Sequence, residues 1–355
     1  MKLRMFPTWL RLFATSAALL CAVFSGRRSA ADGTSAPAEP VAAAEHVRAA
    51  TALARDDLKT PLFLCRADSV NVVRRALQDG AGRWVEPTRI FDNLYYVGNE
   101  FVGVVVLQTS AGLILFDSSS SETEATQHLL PGLVKLGLKP SDVKYVIVTH
   151  GHWDHFGGAA YLQRELGARI ALSAADWDLI AKTPATAPEI GAHPIPRRDI
   201  VVTDGQRITL GDTAIALYLT PGHTPGTVSA IVPVSEGGRR YALSLYGSVA
   251  FPPSLEPTDR VGGLRLYDAS VQRFAEVSRA AGATGILNTH VFADGGLNRL
   301  ALVRARQSGQ PNPFLIGADA TSRYYGILHE CLLAAEARPQ VATDWTTRDS
   351  VRDRH

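Results

Sequence analysis

His150-Gly151-His152-Trp153-Asp154-His155 follows directly on an apolar run, residues 143–149, that has the pattern of a buried β-strand. Side chains that leave the end of such a strand on a glycine-containing loop lie at the sheet edge where ligands usually bind. Three histidines and one aspartate within six residues are costly to bury unless a cation pairs with them. The stretch therefore predicts a metal site at the end of this strand.

The spacing of these donors predicts two metal ions, and zinc is the metal that suits them. His150 and His152 are separated by one residue, so both side chains can face the same ion, whereas Asp154 and His155 point elsewhere on the loop. Zinc prefers imidazole nitrogen and carboxylate oxygen in a tetrahedral arrangement, and a catalytic zinc keeps one position for water. Each ion still lacks ligands from this loop alone.

Two further histidines lie at the ends of predicted strands. His223 sits in the Pro/Gly turn 220–226 after the apolar run 213–220, and His290 ends the run 284–289. We expect both to complete the metal site. The remaining histidines lack this setting and are interpreted as structural or exposed: His46, His128, His193, His329 and His355.

The order of strand-like and helix-like segments predicts an α/β fold, a four-layer αββα sandwich, because two strand-rich halves are each followed by helices. Strands are predicted over residues 93–97, 102–109, 112–117, 143–149, 169–172, 207–210, 213–220, 227–233, 241–245 and 284–289. Helices are predicted over residues 122–136, 158–166, 269–281 and 318–337. Two long loops, 183–199 and 251–263, are predicted to form the lips of the site.

The charge balance excludes a nucleic-acid-binding function. The 355-residue chain has a formal net charge of +2, but five basic residues lie in the first 31, which contain no acidic residue. The rest of the chain keeps 31 of the 36 basic residues against all 34 acidic ones. Such a chain lacks the basic face that binds phosphates, so we expect a small-molecule substrate and no nucleic-acid partner. The oligomeric state is left open.

The N-terminus has the features of a secretory signal peptide. A segment with three basic residues is followed by an apolar run, residues 12–24, too short to span a bilayer, and by the small residues Ser29-Ala30-Ala31. We predict a signal peptide over residues 1–31, a periplasmic or secreted mature chain, and no stable membrane association after cleavage. A lipoprotein attached through Cys21 is the alternative, which the bulky Leu20 disfavours.

The rest of the chain is predicted to contain a leader and helical segment, residues 32–87, a main domain, residues 88–338, and a charged tail, residues 339–355. The helical pattern of the first segment breaks at Thr60-Pro61. The two cysteines of the mature chain are Cys65 and Cys331. The sequence leaves open whether they form a disulfide or remain buried free thiols.

The metal-site residues resemble the metallo-β-lactamase superfamily. Its signature His-x-His-x-Asp-His is matched by His150, His152, Asp154 and His155, and its Thr-Pro-Gly-His turn by the segment that ends at His223. The resemblance runs from about residue 88 to residue 333 and implies that 88–338 is a hydrolase domain with two zinc ions.

The resemblance also implies how the ligands divide. The first zinc would be held by His150, His152 and His223, and the second by Asp154, His155 and His290. Asp117 falls where the superfamily has a strand-end aspartate that supports the metal loop, although a plain turn aspartate is the alternative. Residues 241–255 contain neither Asp nor Cys, whereas glyoxalase-type members place a bridging aspartate after the His223 segment. This absence is similar to the third metallo-β-lactamase subclass.

The implied activity is hydrolysis, in which a zinc-bound hydroxide attacks an amide or ester carbonyl, and opening of a β-lactam ring is favoured. Asp154 is expected to orient the nucleophile as well as to bind the second zinc. Hydrolysis of a lactone, thioester or sulfate ester is the first alternative. An iron-containing redox enzyme and a zinc-binding protein without turnover are the others.

Overall fold

The computed structural model describes residues 38–182, 193–248, 250–251 and 259–339. The predicted signal peptide lies outside these residues, as do nearly all of the charged tail and parts of both predicted lip loops, residues 183–192 and 252–258. Among the helices of the described residues, none combines the length and the apolar character that crossing a bilayer requires.

The first of two β-sheets has seven strands, which are adjacent in the order in which they occur in the chain. They are β1 (Thr88–Phe91), β2 (Leu94–Gly98), β3 (Gly103–Thr109), β4 (Gly112–Phe116), β5 (Val143–Ile147), β6 (Arg169–Ser173) and β7 (Ile200–Val202). The strands β1 to β4 pair antiparallel, and β4 to β7 pair parallel.

The second sheet has five strands in the order β12-β11-β10-β9-β8. They are β8 (Arg207–Leu210), β9 (Thr213–Leu219), β10 (Val228–Glu236), β11 (Arg239–Leu245) and β12 (Ala283–Leu287). Only β12 pairs parallel, with β11, so the carboxyl ends of these two strands lie at the same edge of the sheet.

Helices occupy the outer faces and the N-terminal region. They are α1 (Val41–Ala54), α2 (Ser69–Gly80), α3 (Glu122–Glu124), α4 (Leu130–Lys135), α5 (Trp153–Phe156), α6 (Ala159–Leu166), α7 (Ala174–Lys182), α8 (Arg260–Ala280), α9 (Gly296–Ala305) and α10 (Ala318–Ala337). Short 3₁₀ helices span Thr60–Cys65 and Pro140–Asp142, and a π-helical turn, Ala125–Leu129, joins α3 to α4.

Three groups of buried apolar side chains separate four layers. In β4, Ile114 and Phe116 face the second sheet, whereas Leu113 and Leu115 face helices such as α4 and α6. This alternation follows from the two-residue period of a strand, and burial of both faces explains why β4 and β5 read as almost continuous apolar runs. A third group packs α8 and α10 against the second sheet. The predicted αββα sandwich is confirmed.

Most predicted elements lie within a few residues of the observed ones, and the last helix has the predicted bounds, 318–337. The helix predicted over 269–281 begins earlier, at Arg260. β1, β7, α5, α7 and α9 were not predicted. β7 has only three residues, which is too short for a strand period to be recognised.

The N-terminal region is covalently joined to the last helix. Cys65, at the end of the 3₁₀ helix, forms a disulfide with Cys331 of α10 across a sequence separation of 266 residues. The question that the sequence left open is therefore answered in favour of pairing. Because the bond closes a very long loop, it restricts the unfolded chain strongly.

Replacing both cysteines, Cys65→Ala with Cys331→Ala, is expected to lower the free energy of unfolding by about 2–4 kcal/mol. Denaturant unfolding of the mature chain measures the change, and the wild type in excess reductant serves as the control with the same expected shift. Equal stability of oxidised, reduced and doubly substituted protein would show that the bond contributes nothing.

Candidate metal centre

The six predicted ligands meet at one edge of the sandwich. The loop after β5 supplies four of them, the turn after β9 supplies His223, and the segment after β12 supplies His290. They form two triads in which the donor atoms lie within 4.8 Å of one another: His150, His152 and His223, and Asp154, His155 and His290. The structure thus brings together all six side chains, in the grouping that the resemblance implied.

In the first triad, three imidazole rings enclose a small space. His152 Nδ1 lies 2.9 Å from His223 Nε2, and the His150 ring stands nearly perpendicular to both of the other rings. His150 Nε2 is buried and has no hydrogen-bond partner. An unpartnered buried nitrogen that faces two further ring nitrogens fits a divalent cation, because such a polar atom is costly to bury alone.

The second triad combines two rings with a carboxylate. His155 Nε2 lies 3.0 Å from His290 Nε2, and Asp154 Oδ2 lies 3.3 Å and 3.5 Å from these two nitrogens. Two imidazoles and one carboxylate that face a common point also suit zinc. The donor sets of both triads therefore fit the metal that the sequence predicted.

Four of the five histidine rings are oriented by a hydrogen bond at the ring nitrogen that points away from the metal centre. Each donates its Nδ1–H to a carbonyl or carboxylate oxygen and so presents Nε2 to the centre, as is usual for metal-binding histidines. The pairs are His150 with Gly247 O (3.1 Å), His223 with Ala250 O (2.7 Å), His290 with Phe101 O (3.0 Å) and His155 with Asp117 Oδ2 (2.7 Å). His152 differs, since its Nδ1 faces the centre.

Burial sets the charge states of the triads. It lowers the pKa of His152 and of His290 to about 4. These rings are therefore neutral near pH 7, which is the form that binds metal. Burial also opposes a charge on His155, but the carboxylates of Asp154 and Asp117 outweigh it and raise the pKa of His155 to about 10. The second triad thus holds a positive charge beside Asp154, where a zinc ion would replace the proton.

The match to known proteins agrees with this geometry. A model of the metallo-beta-lactamase superfamily matches residues 97–235, which carry five of the six candidate ligands. The solved subclass B3 metallo-beta-lactamase of Bradyrhizobium japonicum is 28% identical, with a TM-score of 0.58, over 70% of this chain and 92% of that one. The metallo-beta-lactamase of Legionella gormanii is 26% identical, with a TM-score of 0.59, over 68% and 92%. Residues 97–235 thus match the metallo-β-lactamase superfamily, and the fold is similar to that of solved metallo-beta-lactamases.

Curated relatives within this superfamily have a different activity in their names. The hydroxyacylglutathione hydrolase of Cereibacter sphaeroides is 29% identical over 132 residues, 37% of this chain and 46% of that protein. The hydroxyacylglutathione hydrolase of Acidiphilium cryptum is 40% identical over 85 residues, 24% and 29%. The chain therefore spans about half, or less, of the length of these relatives.

Asp117 connects the ends of two strands beside the second triad. It follows β4 with a positive φ of 68° and is fully buried. Its Oδ1 accepts a hydrogen bond from Thr149 N (2.7 Å), and its Oδ2 accepts one from His155 Nδ1 (2.7 Å). Asp117 therefore holds both the start of the metal loop and one ring of the second triad, as the resemblance implied.

The segment after β11 offers a backbone group in place of a side-chain ligand. Gly247 occupies the position just beyond β11, and its carbonyl oxygen orients His150. A Cβ atom at Gly247 would lie 2.2 Å from the carbonyl oxygen of Val228, so no side chain fits there. The end of β11 thus contributes a carbonyl oxygen to the first triad, and this oxygen holds the His150 ring.

Asp176 is the residue of this site that the sequence analysis missed. It is fully buried in α7, and its carboxylate accepts hydrogen bonds from Gly151 N (2.7 Å), Gly226 N (2.8 Å) and Thr224 Oγ1 (2.6 Å). Gly151 separates two ligands of the first triad, and Thr224 follows the third, so Asp176 joins their two loops. The sequence does carry a signal for Asp176, because it is an acidic residue just after β6. This strand pairs with β5 in the parallel part of the sheet.

Burial raises the pKa of Asp176, although the three hydrogen bonds oppose this rise. Its contacts are all with N–H and O–H donors, which only a carboxylate can accept on both oxygens. An amide of the same shape would turn an NH₂ group toward one of these donors. Asp176 therefore fixes the relative position of the two loops through its acceptor capacity.

Asp176→Asn is expected to weaken zinc binding at the first triad about 10-fold to 100-fold, as loss of an outer partner usually does. Chelator competition on the mature protein measures the affinity. Asp178→Asn is the matched control, because Asp178 lies on the same helix but pairs with Arg198 on the surface. Unchanged zinc affinity in Asp176→Asn would contradict a positioning role.

The histidines interpreted as structural have other partners in the described part of the chain. His46 contacts Glu330 (2.7 Å), His329 contacts Asp268 (2.6 Å), and His128 stacks on Trp84 at 3.6 Å. His193 lies closer to the centre, because its ring stacks on Trp153 at 5.8 Å. His355 lies outside the described residues.

Proposed function

We propose that this protein is an exported dizinc hydrolase that opens β-lactam rings. The observation that carries the proposal is the pair of buried triads, with His150 Nε2 left unpartnered at the centre of the first. Two zinc ions bound there would polarise the substrate carbonyl and supply a nucleophile from water near neutral pH. Six donor side chains that converge in two groups of three, one of them with an unpartnered nitrogen, fit the binding of two ions.

The residues of the two triads would then have separate roles in binding the ions. His150, His152 and His223 would hold the first ion, and Asp154, His155 and His290 would hold the second. Asp154 would also orient the attacking water. The carbonyl groups of Gly247 and Phe101 keep one ring of each triad aimed at its ion.

Three observations favour a β-lactam as the substrate. The solved structures to which the chain is similar over most of its domain are subclass B3 metallo-β-lactamases. No Asp or Cys occurs in residues 241–255, where other members carry a further ligand. The disulfide between Cys65 and Cys331 is typical of an oxidising compartment, which agrees with the signal peptide proposed over residues 1–31 and with a periplasmic or secreted protein.

Thioester hydrolysis is the second candidate, since the curated relatives are hydroxyacylglutathione hydrolases. It is the weaker one because the match covers less than half of those proteins. The metal site supports both reactions, so the substrate has to be decided by turnover.

His152→Ala is expected to reduce the zinc content below two ions per chain and to lower kcat/KM at least about 100-fold, because a ligand of the first ion is lost. Elemental analysis and steady-state kinetics on the same preparation measure both quantities. His329→Ala is the control, since His329 pairs with Asp268 on the surface of the helical layer. Two zinc ions and full turnover in His152→Ala would make the ligand assignment wrong.

The mature wild-type protein loaded with zinc is expected to hydrolyse a chromogenic cephalosporin with a higher kcat/KM than a glutathione thioester. A panel of β-lactams, lactones, thioesters and sulfate esters, assayed under one condition, measures the ranking. Turnover of the thioester alone would replace the β-lactam proposal with the second candidate. Native protein that contains iron in place of zinc would instead support redox chemistry.

A further inference from the structure

A row of aromatic rings leads from the second triad to the N-terminal region. Phe101 packs against the His290 ring at 4.7 Å, and Phe292 lies 5.7 Å from His290. Phe292 stacks on Phe101 at 5.6 Å with an interplanar angle of 11°, and Phe63 packs on Phe292 at 5.9 Å. These distances are those of favourable aromatic pairs. Phe101, Phe292 and Phe63 are called the aromatic row below.

The exposure of the rings increases along the row. Phe101 is only 5% exposed, whereas Phe292 and Phe63 are both half-buried. His290, the ligand that touches the row, is 6% exposed, whereas His155 is fully buried. The row therefore begins at a ligand of the second triad and ends in two partly exposed rings.

The outermost ring is held in place by a covalent anchor. Phe63 lies in the 3₁₀ helix Thr60–Cys65, two residues before the disulfide from Cys65 to α10. The carbonyl of Cys65 also accepts a hydrogen bond from Arg338 Nη2 (2.7 Å) at the end of α10. The anchor therefore holds a partly exposed phenyl ring at the outer end of the aromatic row.

We propose that the aromatic row is a substrate subsite, which binds an aromatic substituent of the substrate next to the second metal triad. The inference rests on the proposed dizinc hydrolase function. Half-buried phenyl rings that are already paired offer flat apolar surface, and a further aromatic ring can cover them without ordering new side chains. Phe63 and Phe292 both lie outside residues 97–235, so two of the three rings of the subsite come from beyond the segment that matches the superfamily.

The test uses two thiol inhibitors that bind zinc through sulfur and differ only in a methyl or a benzyl substituent, 2-mercaptopropionate and 2-mercapto-3-phenylpropionate. Calorimetric titration of the zinc-loaded mature protein measures both dissociation constants without any need for turnover. We expect the wild type to bind the benzyl compound about tenfold more tightly. Phe63→Ala is expected to reduce this preference to about threefold or less, with unchanged affinity for the methyl compound.

Leu62→Ala is the matched control. Leu62 belongs to the same 3₁₀ helix, but it lines a separate open cavity of about 500 Å³ together with Val47 and Arg66. The substitution removes apolar surface from the same helix but replaces none of the three rings of the aromatic row, so the benzyl preference should remain. Equal loss of the preference in Leu62→Ala and Phe63→Ala would assign the effect to the fold of the helix and would overturn the subsite.

The disulfide supplies an independent arm of the same test. The variant with Cys65→Ala and Cys331→Ala is expected to lose benzyl preference as Phe63→Ala does, because Phe63 is released from its anchor. The variant must still bind the methyl compound as the wild type does.

The outcomes separate the two proposals. If zinc and both thiols bind but the wild type shows no benzyl preference, the subsite is wrong and the dizinc hydrolase proposal stands. If the protein binds no zinc, the proposed function is wrong, and the subsite falls with it. A benzyl preference that survives Phe63→Ala would also overturn the subsite.

Discussion

Burial of metal-ligand groups at the end of β5 is the constraint on which the structure depends. His150 and His155 are fully buried, and Asp154 is almost so. Within each triad, donor atoms approach one another at 2.9–3.5 Å, yet two imidazole nitrogens can share at most one proton. Such a cluster suits a cation at its centre, and the fold delivers three strand ends to one place and holds them there.

Two buried carboxylates hold these strand ends together. Asp117 connects β4 to the start of the metal loop, and Asp176 connects the middle of that loop to the turn that carries His223. Both accept backbone N–H groups next to ligands, and neither belongs to a triad. The local φ of 68° at Asp117 is a strained conformation for a residue with a side chain, and the three contacts of its carboxylate maintain it.

The six ligands and the layer order were predictable because their signals are local. A buried strand followed by His150-Gly151-His152 is visible within ten residues, and strand periods identify both sheets. Asp176 was missed because its partners lie 25 to 50 residues away, and only the fold brings them within reach. The pairing of Cys65 with Cys331 was undecidable for the same reason, since it depends on a Cα–Cα distance of 4.2 Å between distant helices.

The metal ligands and the proposed substrate subsite also differ in the parts of the chain that form them. The ligands of the first triad lie in the segment that matches the superfamily, and strand ends together with Asp176 hold them in place. The aromatic row instead combines Phe101 of the matched segment with Phe63 and Phe292 from outside it. Because Phe63 is tied to α10 by a disulfide and not by the sheets, its position can change without disturbing a metal ligand. A region of this kind is suited to set which substrate reaches a centre whose own donors are fixed.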